Sequence, residues 1–312
     1  MTECERIVNE GILPESYFQE EVKCDFLVEP LRKRIWAIEL DLLLEFDRVC
    51  KKNHLRYFLT GGTLLGAIRH NGFIPWDDDI DILVPRDDFE KLLLLKDEFH
   101  YPYFFQTPVT DPGYYFAFPR LRNSRTSAIQ RPFCDCGYNM GIFIDILPLD
   151  FITYDDAGRK MFDQLTKLLI DSSTSMKAAC KYLNKRDEER VNNLPAQDPI
   201  ERYHEIHRLA TSMKDSGSSF CFPSTGVVYG FERTVYRWSD CSDTIDGIFE
   251  SYHLPIPIGY DNVLKTIFGE YTKLPPLEER GGWHGSIWFD TERSYLEVKQ
   301  NPRYQEWACS IY

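Results

Sequence analysis

Apolar residues recur at helical spacing through residues 30–53, at Ile35, Ile38, Leu42, Phe46 and Val49. That period predicts a long amphipathic helix, and Pro30 suits its first turn. Residues 55–60 are short, apolar and aromatic, as a strand is. Gly61-Gly62 breaks that run, and residues 63–69 read as a short helix beginning just after the glycines. The period then drops to two. Ile80, Ile82 and Val84 alternate with Asp79, Asp81 and Leu83, which predicts a second strand ended by Pro85. A helix to about residue 98 follows, with Asp87 and Asp88 where a helix N-terminus favours carboxylates. Residues 103–106, 114–122, 126–130 and 141–147 read as further strands.

This order of strands and helices predicts an α+β fold, a mixed sheet core flanked by helices. Residues 1–29 read as an irregular lead-in and 30–153 as the core. Residues 154–215 read as a charged helical insertion with a polar patch at 184–198. Residues 216–312, rich in aromatics, Gly and Pro, read as a C-terminal segment that completes the core. The chain shows no internal repeat.

Composition narrows the possible partners. Hydrophobic residues make up 43% and charged residues 27% of the 312 residues, as in a globular protein. Lys and Arg number 36 against 49 Asp and Glu, a net charge of −13 that speaks against a nucleic-acid binder. Seven of the acids fall between Asp77 and Glu90, against Arg86 alone. No apolar run approaches the roughly 18 residues of a membrane span. The polar, acidic start carries no signal-type pattern, so the expected location is cytoplasmic. The nine cysteines are odd in number and scattered, which suits reduced thiols. Cys134-Asp135-Cys136 lacks the second pair that a tetrahedral metal site needs.

The candidate chemistry lies in Trp76-Asp-Asp-Asp-Ile-Asp-Ile82. On a strand, Asp79 and Asp81 share one face, and Asp77 joins it if the extension continues. Such an array is unfavourable without a cation, and Mg²⁺ accepts one or two carboxylates together with substrate phosphates. An EF-hand is excluded, since Ile82 stands where Gly is needed and Asp88 where Glu is needed. Upstream, Gly61-Gly62-Thr63 joins a strand to a helix. The glycines let a ligand approach, the helix N-terminus offers N–H groups to an anion, and Thr63 is a candidate cap and phosphate donor. Asp145, alone among Ile142, Phe143, Ile144 and Ile146, is a buried-type acid that needs a metal or a hydrogen-bonding partner.

A strand, a Gly-Gly turn with its helix and a strand bearing Asp-x-Asp together resemble the nucleotidyltransferase superfamily core. The resemblance narrows with Thr60-Gly-Gly-Thr-Leu-Leu-Gly-Ala-Ile-Arg69 and His70-Asn-Gly-Phe-Ile-Pro-Trp-Asp-Asp-Asp-Ile-Asp-Ile82. With Phe143-Ile-Asp-Ile-Leu-Pro-Leu-Asp150, Leu254-Pro-Ile-Pro-Ile-Gly-Tyr260 and Phe268-Gly-Glu-Tyr-Thr-Lys-Leu-Pro275, these resemble the LicD family. The likeness is dense over residues 55–151 and returns at 250–285.

The resemblance implies a nucleotidyltransferase-like core and a phosphotransferase. Its donor would be CDP-linked, such as CDP-choline, or CDP-ribitol as in the fukutin-like relatives. Its acceptor would be a hydroxyl of a bacterial surface glycan, possibly lipid-linked, and CMP would leave. Carried over, Gly61, Gly62 and Thr63 bind donor phosphates. Asp79 and Asp81, with Asp145 as third acid, hold Mg²⁺, with Mn²⁺ an alternative, and Asp77 is a further functional acid. Asp145 or Asp77 is the candidate general base. Arg69, Arg120, Arg122 and His284 are candidates for contacts with phosphate, while His204 and His207 read as surface residues. The 18 Tyr and 6 Trp suit a quaternary ammonium donor but do not choose it over a polyol phosphate. The competing readings are an NTP-dependent nucleotidyltransferase and a non-catalytic nucleotide- or sugar-binding module.

Overall fold

The computed structural model describes residues 1–114, 116–130, 134, 136–171, 198–226, 229–281 and 287–309. The long helix appears as expected, α2 at Pro30–Lys52 with Pro30 in its first turn. Its apolar stripe (Ile35, Ile38, Leu42, Phe46, Val49) is wholly buried. Its other side is covered as well, by residues expected to be irregular. They form α1 (Glu3–Asn9) and a hairpin of β1 (Glu21–Lys23) and β2 (Phe26–Val28). A capping box starts α1, with Thr2 and Glu5 bonding each other's main chain. Arg6 of α1 pairs with Asp41 of α2 at 2.5 Å. Cys24 and Asp25 both take positive φ, as a two-residue hairpin turn requires.

The main sheet is built around one long strand, β8 (Ile142–Phe151). On one edge it pairs in parallel with β4 (Asp81–Pro85), which pairs in turn with the short β3 (Phe58–Leu59). Along the other edge lie two antiparallel partners, end to end. They are β6 (Arg120–Asn123), itself paired with β5 (Tyr103–Gln106), and β9 (Phe220–Pro223), paired with β10 (Tyr236–Arg237). Ile142, Ile144 and Ile146 point into the core that α2 covers. The result is the expected α+β arrangement of a mixed sheet flanked by helices.

Several expected strands are shorter or longer than their hydrophobic runs. Only Phe58–Leu59 of residues 55–60 is strand, and only 120–122 of the 114–122 run, where β6 begins. In contrast, β8 continues through Pro148, whose carbonyl accepts from the Ser224 N–H at 3.1 Å. β7 (Ser127–Gln130) leaves the main sheet and pairs with β11 (Ile287–Asp290). Helices α5 (Asp156–Asp171) and α6 (Pro199–Ala210) share a second buried cluster with Phe222 and Phe231. The polar patch at 184–198 lies almost wholly outside the described residues. Its last member, Asp198, caps α6 by accepting from Ile200 and Glu201.

His207 of α6 is not the surface residue expected. Its Nε2 donates to the Ala117 carbonyl at 2.9 Å, leaving Nδ1 to accept from Arg86 at 3.0 Å. Arg86, at the start of α4 (Arg86–Leu92), also holds Asp150 of β8 at 2.5 Å. Burial, then the Arg86 charge, pushes the His207 imidazole down to about 3. Below its ordinary value of 6.5 an unfolded chain takes up a proton that the folded imidazole refuses. This site therefore loses stability as the pH falls from 6.5 towards about 3. His207→Gln is expected to flatten that part of an acid-unfolding profile, and the wild-type His207 resonance should not titrate near 6.5.

Candidate active site

Helix α3 (Gly61–His70) begins two residues earlier than the hydrophobic pattern suggested. Thr60 is its N-cap, and the two glycines form its first turn instead of preceding it. Strand β4 locks this turn from both sides. The Thr60 N–H donates to the Asp81 carbonyl at 3.2 Å, and the Asp81 N–H donates to Thr63 Oγ1 at 2.9 Å. Thr63 is thus a brace for Asp81, with its own hydroxyl proton left to donate, and not the cap. Gly61 takes φ +54°, and a Cβ there would lie 3.4 Å from Asp81 Oδ2. A Cβ on Gly62 would lie 2.5 Å from Asp77 Oδ2. The glycines leave the space that the carboxylates fill at the positive end of the helix.

The acidic stretch is held by its main chain. The Asp77 carbonyl accepts from Arg32 Nη1 at 2.7 Å and from Trp36 Nε1 at 2.9 Å, both on α2. Trp36 is itself fixed by stacking on Phe73, with centroids 4.8 Å apart. One turn further along α2, Glu39 sits under the same stretch. It is 2% exposed and its Oε2 has no hydrogen-bond partner. Burial, then the neighbouring Asp78 and Asp77, holds the Glu39 carboxyl well above the usual carboxylate range. Asp79 is raised likewise by burial, then by Asp77 and Asp81. Sequence reading missed Glu39; the available signal was Arg32, Trp36 and Glu39 at helical spacing, three side chains with polar atoms on one face of α2.

Asp145 arrives by register. It lies opposite Asp81 in the parallel pair and opposite Arg120 in the antiparallel one, so the three form one row across β4, β8 and β6. Arg120 was expected against donor phosphates. It is instead 3% exposed, with its Nε donating to Asp145 Oδ1 at 2.6 Å. The Phe116 and Phe143 rings lie 4.0 and 3.8 Å from its guanidinium. Arg122 is buried too, and bonds the Gly141 carbonyl at 2.6 Å. Arg120 is thus engaged by Asp145 and Gln130, and Arg122 by Gln106 and the Gly141 carbonyl.

Two hollows meet at Asp79. The larger, about 610 Å³ and open, is bordered by Gly62, Asp77, Asp79, Asp81, Trp76 and Tyr229. Its far wall is residues 268–279, anchored by Arg69, whose Nη1 donates to the carbonyls of Tyr271 at 2.9 Å and Lys273 at 3.2 Å. Arg69, expected as a phosphate contact, lines this groove as well as anchoring its wall. The smaller hollow, about 150 Å³, lies between Asp79 and Asp145 and includes Glu39 and Asp78. His284 lies outside the described residues. Among the described residues, no three acid, His or Cys side chains converge as a ready-made metal cage.

Residues 54–167 match the family model described as LicD/FKTN/FKRP, nucleotidyltransferase domain. That segment is similar to a LicD-type nucleotidyltransferase domain. The lipopolysaccharide cholinephosphotransferase LicD of Haemophilus influenzae is 25% identical over 258 residues, 78% of this chain and 92% of that protein. Human ribitol 5-phosphate transferase FKRP is 53% identical over 34 residues, 11% of this chain and 7% of that protein. Protein RP689 of Rickettsia prowazekii is 45% identical over 47 residues, 15% of this chain and 18% of that one. The LicD-type match begins after α2, so the helix that clamps Asp77 lies outside it.

Asp79→Asn tests the electrostatics directly. Removing the ionisable carboxyl is expected to stabilise the metal-free protein at neutral pH. The sign follows from linkage. A carboxyl raised in the folded state lowers stability as the pH climbs from its ordinary 3.8 upward, and Asn removes that slope. Thermal melts in a chelator from pH 4 to 8 check it, and an equal slope in both proteins would refute the assignment.

Proposed function

We propose that this protein is a metal-dependent phosphotransferase that moves a phospho-alcohol, phosphocholine in the first instance, from a CDP-linked donor to a glycan hydroxyl. The observation that carries the reading is the meeting of Asp77, Asp79 and Asp81 with the Gly61-Gly62 helix start on one open groove. Similarity to a cholinephosphotransferase over most of both chains supports it.

The residues suit Mg²⁺, which needs only one or two carboxylates and takes its other ligands from water and phosphate. The space cleared at Gly61 and Gly62 brings those carboxylates against a phosphate-binding helix start. Asp79 and Asp81 would hold the ion, which neutralises charge on the donor's phosphates. Asp145, engaged by Arg120, acts as the counter-charge that keeps the row in place.

The remaining work belongs to the chain. The N–H groups at the start of α3 and the Thr63 hydroxyl orient the phosphates. Asp77, on the groove side, is better placed than Asp145 to take the acceptor's proton. The acceptor oxygen then bonds to phosphorus, the bond to the CMP oxygen breaks, and CMP leaves. Trp76 and Tyr229 offer faces for the base or the sugars. Among the described residues no helix is long and apolar enough to cross a membrane. A lipid-linked acceptor would therefore reach the groove from outside the described fold.

Purified protein with Mg²⁺, CDP-choline and a glycan acceptor is expected to release CMP. Asp81→Asn should slow release by about a hundredfold, the scale of losing one group that stabilises transition-state charge. Pyrophosphate release from an NTP in place of CMP, or unimpaired turnover by Asp81→Asn, would overturn the reading.

A further inference from the structure

We infer that Glu250 is a positioning residue: its side chain latches the turn after α3 and so fixes, through Phe73 and Trp36, where Asp77 stands on the groove. The inference rests on the reading above, in which Asp77 takes the acceptor's proton, and names what holds Asp77 there.

Glu250 lies at the tip of a hairpin formed by Thr244–Phe249 and Tyr252–Pro257. With Ser251 it makes the two-residue turn, and the two take φ +47° and +72°. Such turns favour Asn, Asp or Gly, which accept positive φ most readily. A Glu there is out of place as a turn residue, and its contacts supply the reason. The Glu250 N–H donates to the Asn71 carbonyl at 2.9 Å, and Oε1 accepts from the Phe73 N–H at 3.2 Å. Main chain and side chain together clasp Asn71-Gly72-Phe73, with 177 positions between Phe73 and Glu250. Gly72 leaves the room for this, since a Cβ on it would collide with Glu250 Oε1.

The clasped turn leads to the acids. Phe73 is buried; its ring lies 4° from the plane of Trp36 and meets Phe249 edge-on with centroids 4.8 Å apart. The hairpin tip thus holds Phe73 twice, by its N–H through Glu250 and by its ring through Phe249. Trp36 holds the Asp77 carbonyl, and the Asp77 N–H donates to the Ile74 carbonyl at 2.9 Å. The stretch from Asn71 to Asp77 is therefore fixed by the hairpin at its start and by α2 at its end, with Phe73 touching both. Released at its start, it can shift, and a displacement of about 1 Å is enough to cost a reacting group its alignment.

The test separates reach from charge. Glu250→Gln keeps an oxygen within reach of the Phe73 N–H but carries no charge. Glu250→Asp keeps the charge and suits positive φ better, but is one methylene too short to reach. Gly72→Ala leaves Glu250 in the chain and displaces its carboxylate. The readouts, on the full chain well below each variant's melting temperature, are two. One is the Trp36 indole N–H signal in ¹H–¹⁵N spectra, assigned with Trp36→Phe. The other is the kinetics of CMP release with Mg²⁺, CDP-choline and a glycan acceptor. Glu250→Asp and Gly72→Ala are each expected to shift the indole signal and to lower kcat by roughly ten- to a hundredfold. The donor KM should stay unchanged, because the donor is held at the start of α3. The double variant should be no worse than either single one, since both break the same contact. Glu250→Gln should match the wild type in both readouts. An unchanged signal and kcat in Glu250→Asp and Gly72→Ala would overturn the inference even if both melt earlier, since Glu250 would then serve the hairpin alone. An equal loss in Glu250→Gln, or a raised donor KM at unchanged kcat, would overturn it too. If the wild type releases no CMP, the donor reading fails, and the latch is judged by the indole signal, whose constancy in both variants sinks it.

Discussion

The arrangement of this molecule depends on keeping several carboxylates close together where water is scarce. Two like charges 4 Å apart repel by about 4 kcal/mol at an effective dielectric constant of 20. Here Asp77, Asp78, Asp79 and Asp81 are packed within five residues, with Glu39 and Asp145 beside them. The fold tolerates this by three devices. Arg32 and Trp36 hold the main chain at Asp77, so the acids cannot swing apart. The positive end of α3 faces Asp77 and Asp81. Arg120 neutralises Asp145 alone. What is left over is borne by Asp79 and Glu39 as raised proton affinity, chiefly through burial. Such a site is a standing demand for a cation.

The sheet converts that demand into position. The row Asp81, Asp145, Arg120 is set by pairing on both edges of β8, and a slip of one residue would turn every acid into the core. Strands make a firmer mount for charge than loops do. The opposite wall of the groove, residues 268–279, is mainly loop and is tied back by Arg69. The sheet therefore carries the charge, and the loop wall faces it across the groove.

Much of this was legible in the residues. The alternation of Ile80 and Ile82 with acids placed the strand and its charged face, and the glycine pair marked the turn. The long helix was plain from its period. Legibility failed where an outcome depended on a partner distant in the chain. Arg120 looked like a phosphate ligand because nothing local reveals a cross-strand carboxylate 25 positions later. His207 looked like a surface residue because its partners, Arg86 and Ala117, belong to other elements. Residues 1–29 looked irregular although Thr2 and Glu5 spell a capping box, since that signal is weak until Arg6 finds Asp41. Strand ends were misplaced because apolar runs record burial, and burial extends beyond hydrogen-bonded pairing.

Glu39 shows the limit most clearly. In α2, Glu39 and Asp41 alternate with Ile38, Leu40 and Leu42, and only the meeting of α2 with the loop before β4 makes Glu39 part of the acid array. That meeting also bears on where the functional unit ends. The family match starts at residue 54, yet Arg32, Trp36 and Glu39 precede it, and Tyr229, Tyr271 and Lys273 follow its end at 167. The matched segment supplies the glycine turn and the aspartates. It supplies neither the clamp that holds Asp77 nor the far wall of the groove. A site whose charges must be held against their own repulsion needs those outer elements as much as the aspartates themselves, so the working unit is the sheet together with α2 and the C-terminal wall.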